Sequence, residues 1–200
     1  MSFIRMNLKV PKNISIAVSG GLDSMFGLSF IMNSKRNIRV LHYNHNTSHS
    51  NFANQFVETF CFKNKIDFKT ERLSEPIPKG RSSEDFWREK RYEFLNKNSD
   101  DPIITCHHLD DVLETWIFSS ANGSPKIIPS VNKKILRPFL LNKKSTIKKW
   151  CLSNSIDYVY DPSNNDDRYK RNFIRNNVVD LFLDINPGIY KVLSKKINNN

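Results

Sequence analysis

Ser19-Gly20-Gly21-Leu22-Asp23-Ser24 sets two glycines, an acid and two hydroxyls directly behind the run Ile14–Val18. Glycines in such a place let the chain turn through positive φ and bring bare backbone close to a ligand. The apolar stretch Met25–Ile31 follows. A helix beginning there aims its free N–H groups and positive dipole end at the turn. Ser19, Gly20, Gly21, Leu22, Asp23 and Ser24 are therefore a candidate cradle for phosphate or pyrophosphate. The lysine of a G-x-x-x-x-G-K-[ST] loop is missing, so this is not the common P-loop.

A second cluster is His107-His108-Leu109-Asp110-Asp111-Val112-Leu113-Glu114-Thr115. Asp110 and Glu114 share a helix face at i, i+4, and Asp111 meets Glu114 at i, i+3. Acids in a first turn complement the helix dipole. Beside a phosphate-binding turn they can instead hold Mg²⁺ or move protons, with Asp23 and Asp111 as the metal candidates. A histidine here, His107 or His108, titrates in the useful range. Capping and chemistry both remain open for this cluster. A third set is cationic: Arg88 and Arg91 with Glu84, and Arg171 and Arg175 with Lys170. These are either solvated faces or contacts to phosphate and nucleic acid. His42, Tyr92 and Arg137 read as packed structural groups.

The scaffold follows from periodicity. Strands are expected over 14–18, 38–43, 67–73 and 102–106, and helices over 24–32, 52–64, 82–95 and 110–119. Phe52, Phe56 and Phe60 recur near i, i+4 in the second helix, and Ser82 or Ser83 is a plausible N-cap of the third. Strands alternating with helices at this spacing give an α/β fold with a parallel sheet flanked by helices. Ligands on such sheets lie beyond the carboxyl ends of the strands, so the loops after Val18, Tyr43, Leu73 and Cys106 are the functional ones. From Asn122 the pattern changes. A short hairpin is expected over 131–136, then helices over 145–154, 169–183 and 188–197. The expected division is a nucleotide-binding domain over 1–142 and a helical extension over 143–200 packed on it, with a frayed tail over 197–200.

Composition narrows the class. The chain has 200 residues, 38% of them hydrophobic, enough for one domain with a real core. No apolar run is long enough to span a bilayer, which argues against a membrane partner, and Met1–Lys9 lacks the apolar region and cleavage site of a secretory signal. Cys61, Cys106 and Cys151 are odd in number and far apart, with no C-x-x-C, so neither a zinc site nor a disulfide framework is expected. A cytoplasmic compartment, or the matrix or stroma of an organelle, fits that cysteine usage. The formal net charge of +11 points to an anionic partner, nucleic acid first. Compositional drift toward Lys, Asn and Ile is the competing source of that charge.

Ser-Gly-Gly-Leu-Asp-Ser after a first strand resembles the PP-loop of the ATP pyrophosphatases, enzymes that cleave ATP between its α and β phosphates and adenylate a substrate. The stretch His107–Thr115 narrows the resemblance to the tRNA(Ile)-lysidine synthase family. His42-Tyr43-Asn44-His45, Glu84 with Arg88, Arg91 and Tyr92, Arg137-Pro138-Phe139-Leu140, Asp161-Pro162-Ser163-Asn164 and Arg171-Asn172-Phe173-Ile174-Arg175 are similar to that family's motifs, in the same order. The resemblance implies an adenine nucleotide alpha hydrolase-like fold, ATP and Mg²⁺, free L-lysine, and a tRNA(Ile) with a CAU anticodon. In such enzymes the C2 oxygen of the wobble cytidine is adenylated, and the lysine amine then displaces AMP. By resemblance Ser19–Ser24 hold pyrophosphate and Asp23 and Asp111 bind Mg²⁺. His107 or His108 with Glu114 handle protons or receive the lysine ammonium. Arg91 and Arg88 stabilise the α-phosphate, and Asp110, Arg171 and Arg175 contact substrate. Family members usually carry further domains, so a short form is expected, and Pro125 stands where relatives tend to be Gly-rich. A homodimer stays open. The alternatives are another PP-loop enzyme acting on tRNA or a metabolite, or a non-catalytic RNA-binding remnant. Missing cysteine motifs argue against an iron–sulfur thiolase, and intact Asp23, Asp111 and Glu114 argue against a remnant.

Overall fold

The computed structural model describes residues 3–198. Its centre is a six-stranded sheet: β1 (Asn13–Ala17), β2 (Asn37–Asn44), β3 (Asp67–Arg72), β4 (Ile103–Ile104), β5 (Val131–Asn132) and β6 (Ile135–Leu136). The strand order is β3-β2-β1-β4-β6-β5, parallel except for the β5–β6 hairpin. The chain moves outward from β1 through β2 to β3, then returns to place β4 on the other side of β1. That reversal opens a crevice between the carboxyl ends of β1 and β4, where ligands on such sheets bind. The turn at Ser19 and the histidines after β4 flank that crevice.

The helices are α1 (Leu22–Met32), α2 (Ser48–Lys63), α3 (Ser83–Lys97), α4 (Leu109–Ala121) and α5 (Lys144–Ser153), followed by α6 (Lys170–Phe173), α7 (Val179–Ile185) and α8 (Ile189–Asn198). A π-helical turn, Ile174–Val178, joins α6 to α7. α2 starts four residues before the expected 52 because Thr47 and Ser50 form a reciprocal capping box. Its buried face is Ala53, Val57 and Cys61, while Phe52 stays 60% exposed, so of the expected Phe52–Phe56–Phe60 stripe only Phe56 and Phe60 reach the core, partly buried at its edge. β4 is shorter than expected, yet Thr105 N still donates to Leu136 O at 3.0 Å, so the strand's pairing runs past its formal end.

Hydrophobic burial explains the placement of α1. Met25, Phe26, Leu28 and Ile31 pack with Ile14, Ile16 and Val18 of the β1 segment. Phe26 meets Phe139 edge-on at 4.9 Å and Trp150 at 5.3 Å between centroids, which locks α5 beside α1. Ile147 and Cys151 of α5 lie in that same core, so α5, the first helix after residue 142, packs directly on the sheet layer. Residues 174–197 instead pack on α4, with Ile174, Ile189, Leu193 and Ile197 against Leu109, Val112, Leu113 and Ile117. Ile197, expected in a frayed tail, is 4% exposed; Asn199 and Asn200 of that tail lie outside the described residues. Among the described residues no helix is long and apolar enough to cross a membrane.

Gly27 lets α1 descend onto the end of β4. A Cβ there would collide with Cys106 Sγ and press on Phe139 Cε2 at 3.3 Å. Gly27→Ala is expected to cost about 1–3 kcal/mol through overpacking, and Gly27→Ala/Cys106→Ala to recover part of it. Urea denaturation of both variants checks this; an unshifted single variant would contradict the close approach.

Candidate active site

The turn after β1 is built around Gly20, whose φ is +89°, a conformation costly for any side chain. Ser24 holds the turn from inside. Its Oγ donates to Gly21 O at 2.9 Å, and Ser19 N donates to Ser24 Oγ at 3.2 Å. Gly21 is the N-cap of α1 and no side chain caps the helix. The amides of Leu22 and Asp23 thus have no partner within the helix. From the far side, Val159 N donates to Gly20 O at 2.9 Å and lays the segment before Asp161 along the turn.

A line of alternating charges crosses the crevice. Lys144 Nζ stands 3.5 Å from Asp23 Oδ2, and Asp23 Oδ1 stands 3.5 Å from His108 Nε2. His108 Nδ1 stands 3.4 Å from Asp111 Oδ2, and Asp111 Oδ1 stands 3.8 Å from Arg175. Arg175 then grips Glu114 through two bonds of 2.6 and 2.8 Å. Burial alone would push His108 down, but Asp111, Asp23 and Asp110 overcome it and lift the imidazolium to about 9. Burial would raise Asp23, yet His108 and Lys144 hold its carboxyl down at about 2. His107 is the opposite case. Burial, with Arg137, Arg91 and Arg88 nearby, outweighs Asp111 and lowers it to about 4, leaving a neutral ring whose Nδ1 meets Thr105 Oγ1 at 3.0 Å.

The crevice has a volume of about 620 Å³. Ser19, Gly21, Leu22, Asp23, Ser24, Arg91, His107 and Arg175 line it, so turn, base and cations from four separate chain segments converge. The other expected residues have different partners. Asp110 accepts from Lys144 N at 2.7 Å and from Tyr190 OH at 2.9 Å, so it caps α5 and ties α8 instead of facing the cavity. Glu114, only 3% exposed, is taken up by Arg175 and does not line the crevice. Asp111 closes the cap of α4, its Oδ2 accepting from His108 N at 2.8 Å. Arg171 reaches Glu84 at 3.3 Å, and Arg88 lies over the Tyr92 ring at 5.0 Å on the exposed side of α3. His108 is the N-cap of α4 and sits behind the cavity wall. Gly20 shapes the turn beneath the lining.

Reading the sequence alone missed Lys144, Lys148, His45 and Asp161, all of which line the cavity. His45 and Asp161 had a signal in the His42-Tyr43-Asn44-His45 and Asp161-Pro162-Ser163-Asn164 stretches. Burial with Arg91 and His42 lowers His45 to about 4, so it too is neutral. Lys144 had none, since only folding brings it to Asp23. Among the described residues no three of His, Cys, Asp and Glu converge as a metal-ligand set. Mg²⁺ commonly takes one or two carboxylates and completes its shell with phosphate oxygens and water. Asp23, whose Oδ1 has only the long 3.5 Å contact to His108 and whose Oδ2 has only the 3.5 Å contact to Lys144, could supply one such position by loosening either. Asp111 could join only by leaving His108 and Arg175. The residues therefore fit an ion carried in on phosphates.

The shifted groups set a pH window. A histidine raised on folding stabilises fully below its unfolded value near 6.5 and loses that contribution as pH rises through about 9. Asp23 contributes above its unfolded value of 3.8 and loses it as pH falls toward about 2. NMR titration of the imidazoles is expected to show His108 protonated up to about pH 9 and His107 neutral down to about pH 4. A His108 that titrated near 6.5 would break the charge line.

Comparison with known proteins agrees with this architecture. The chain matches the PP-loop domain family over residues 3–182. It is 30% identical over 208 aligned residues to the tRNA(Ile)-lysidine synthase of Thermotoga maritima, covering 94% of this chain and 50% of that protein. It is 33% identical to the one from Staphylococcus aureus, covering 85% and 44%. The chain thus spans about half the length of the curated relatives it matches. The NH3-dependent NAD synthetase of Campylobacter jejuni superposes with a TM-score of 0.54 at 13% identity, covering 96% of this chain and 86% of that one, a likeness of fold. The fold is that of the adenine nucleotide alpha hydrolases, and with the family match running through both the turn after β1 and the acidic helix α4, the chain belongs to the PP-loop family.

Proposed function

We propose that this chain is the ATP-using half or short form of a tRNA(Ile)-lysidine synthase. It would adenylate the C2 oxygen of the wobble cytidine in a CAU-anticodon tRNA(Ile) and pass C2 to the amine of free lysine. The observation that carries this reading is the shared crevice: an uncapped helix N-terminus, Asp23, Arg91, His107 and Arg175 open onto one cavity of about 620 Å³. The 30% identity to synthases of that name across 94% of the chain supports the choice of reaction.

In the first step the amides of Leu22 and Asp23 and the turn Ser19–Gly21 bind the β- and γ-phosphates, where the helix dipole favours negative charge. Arg91 faces the α-phosphorus and stabilises the charge that builds as the cytidine oxygen attacks and pyrophosphate leaves. Arg91 is half-buried in the cavity wall, so part of its competing water is already removed, which strengthens that interaction. Mg²⁺, held by Asp23 together with phosphate oxygens, would neutralise phosphate charge. In the second step the lysine amine attacks C2, and AMP departs with the original oxygen. His107, which lines the crevice as a neutral ring, is our candidate to take the proton that the amine must lose. Asp111 and Glu114 act behind the wall by holding Arg175 toward the cavity. The net charge of +11 would favour the approach of tRNA.

Incubating the protein with ATP, Mg²⁺, labelled lysine and a tRNA(Ile) transcript tests the reading. Lysine incorporation that requires both ATP and tRNA is expected. Pyrophosphate release without either tRNA or lysine would point to a metabolite ligase, and RNA binding without turnover to a remnant. Asp23→Asn is expected to lower incorporation by about a hundredfold or more while the circular dichroism spectrum is unchanged; near-normal turnover would remove Asp23 from its role. Binding of tRNA should weaken steeply with salt, as counterion release requires, and a flat response in a filter-binding series would assign the charge to drift.

A further inference from the structure

The turn after β1 carries no lysine, although phosphate loops of the G-x-x-x-x-G-K-[ST] kind rely on one. The fold supplies one from another element. Lys144 opens α5, lines the cavity, and puts its ammonium 3.5 Å from Asp23 Oδ2. Lys148, one helical turn on at i, i+4, lines the same cavity. Their helix is anchored at three points. Asp110 Oδ2 accepts from Lys144 N at 2.7 Å, Ile147 and Cys151 sit in the main core, and Trp150 packs on Phe26 at 5.3 Å. The helix backbone that carries the two ammoniums is thus fixed beside the turn, while the Lys144 side chain stays partly exposed.

Charge balance gives the reason for it. Asp23 stands beside the amides that would receive a polyphosphate, so an incoming anion meets a carboxylate. A cation on the same wall is needed to offset that repulsion. Lys144 is partly exposed and paired to Asp23 at a distance longer than a tight hydrogen bond, so it can turn to a phosphate oxygen while keeping Asp23 nearby.

We propose that Lys144, assisted by Lys148, is the phosphate-contacting lysine of this site, delivered by α5 to the diphosphate that leaves in the first step. This rests on the ATP-cleaving reading above and adds the residues that hold the leaving group. The test is calorimetric titration of the full chain with inorganic pyrophosphate in a Mg²⁺ buffer. Lys144→Met is expected to weaken binding about tenfold or more, Lys148→Met about two- to fivefold, and Lys144→Arg about threefold or less, with unchanged melting temperatures. The Met substitution is then repeated in an Asp23→Asn background. A loss that persists there means the lysine touches the anion; a loss that vanishes means it only neutralises Asp23, which overturns the proposal. If wild-type protein binds pyrophosphate and incorporates lysine while Lys144→Met binds equally well, this inference alone fails. If wild-type protein binds neither pyrophosphate nor ATP, the ATP reading fails and takes this inference with it.

Discussion

The buried ring of His108 joins the two halves of this site, and the acids around it favour its charged form. His108 is 1% exposed and lies between Asp23 at the start of α1 and Asp111 at the start of α4. A lone cation in that position would be strongly disfavoured, so each flanking carboxylate is a condition of its charge. Each carboxylate also meets a second cation, Lys144 on one side and Arg175 on the other. The turn after β1 and the helix after β4 therefore cannot be placed independently. Losing Asp23 or Asp111 would leave the buried His108 short of a partner, whereas Lys144, at the partly exposed end of the line, can be lost without stranding a buried charge.

Packing sets the distances that the charges exploit. Gly27 removes the side chain that would hold α1 off the end of β4, and the Phe26–Phe139–Trp150 contacts draw α5 to the same helix. The consequence is that Asp23 and Lys144, 121 positions apart, become neighbours. On the other flank residues 174–197 cover α4 with apolar side chains, and the π-helical turn Ile174–Val178 carries Arg175 down to Glu114. Such turns insert one residue into the helical register and redirect side chains, and they recur at functional sites. Here the redirected guanidinium reaches both a buried acid and the cavity.

The elements were largely legible in advance because their signals are local. Ser82 caps α3 as its position suggested, and the hairpin around Asn132-Lys133 forms with Lys133 at φ 52°. Which partner each side chain finds is a different matter. Ala53 and Val57, not Phe52, face the turn at Gly20, standing 3.4 and 3.3 Å from where a Gly20 Cβ would be, while Phe56 and Phe60 pack at the edge of that core. Asp110 and Glu114 carry the residue types of an active site, yet one is a cap for α5 and the other a clamp for Arg175. A carboxylate in a sequence has no address until its cation is known.

Local order thus tells which segments turn, extend or coil, and where backbone can meet an anion: glycine's freedom and a helix's free amides are properties of a few adjacent residues. Strand order could not be read the same way. The reversal that seats β4 against β1, the arrival of Lys144 at Asp23 and the protonation of His108 all depend on contacts between distant segments. Such contacts are selected by burial and charge compensation over the whole chain, and no short stretch contains that information.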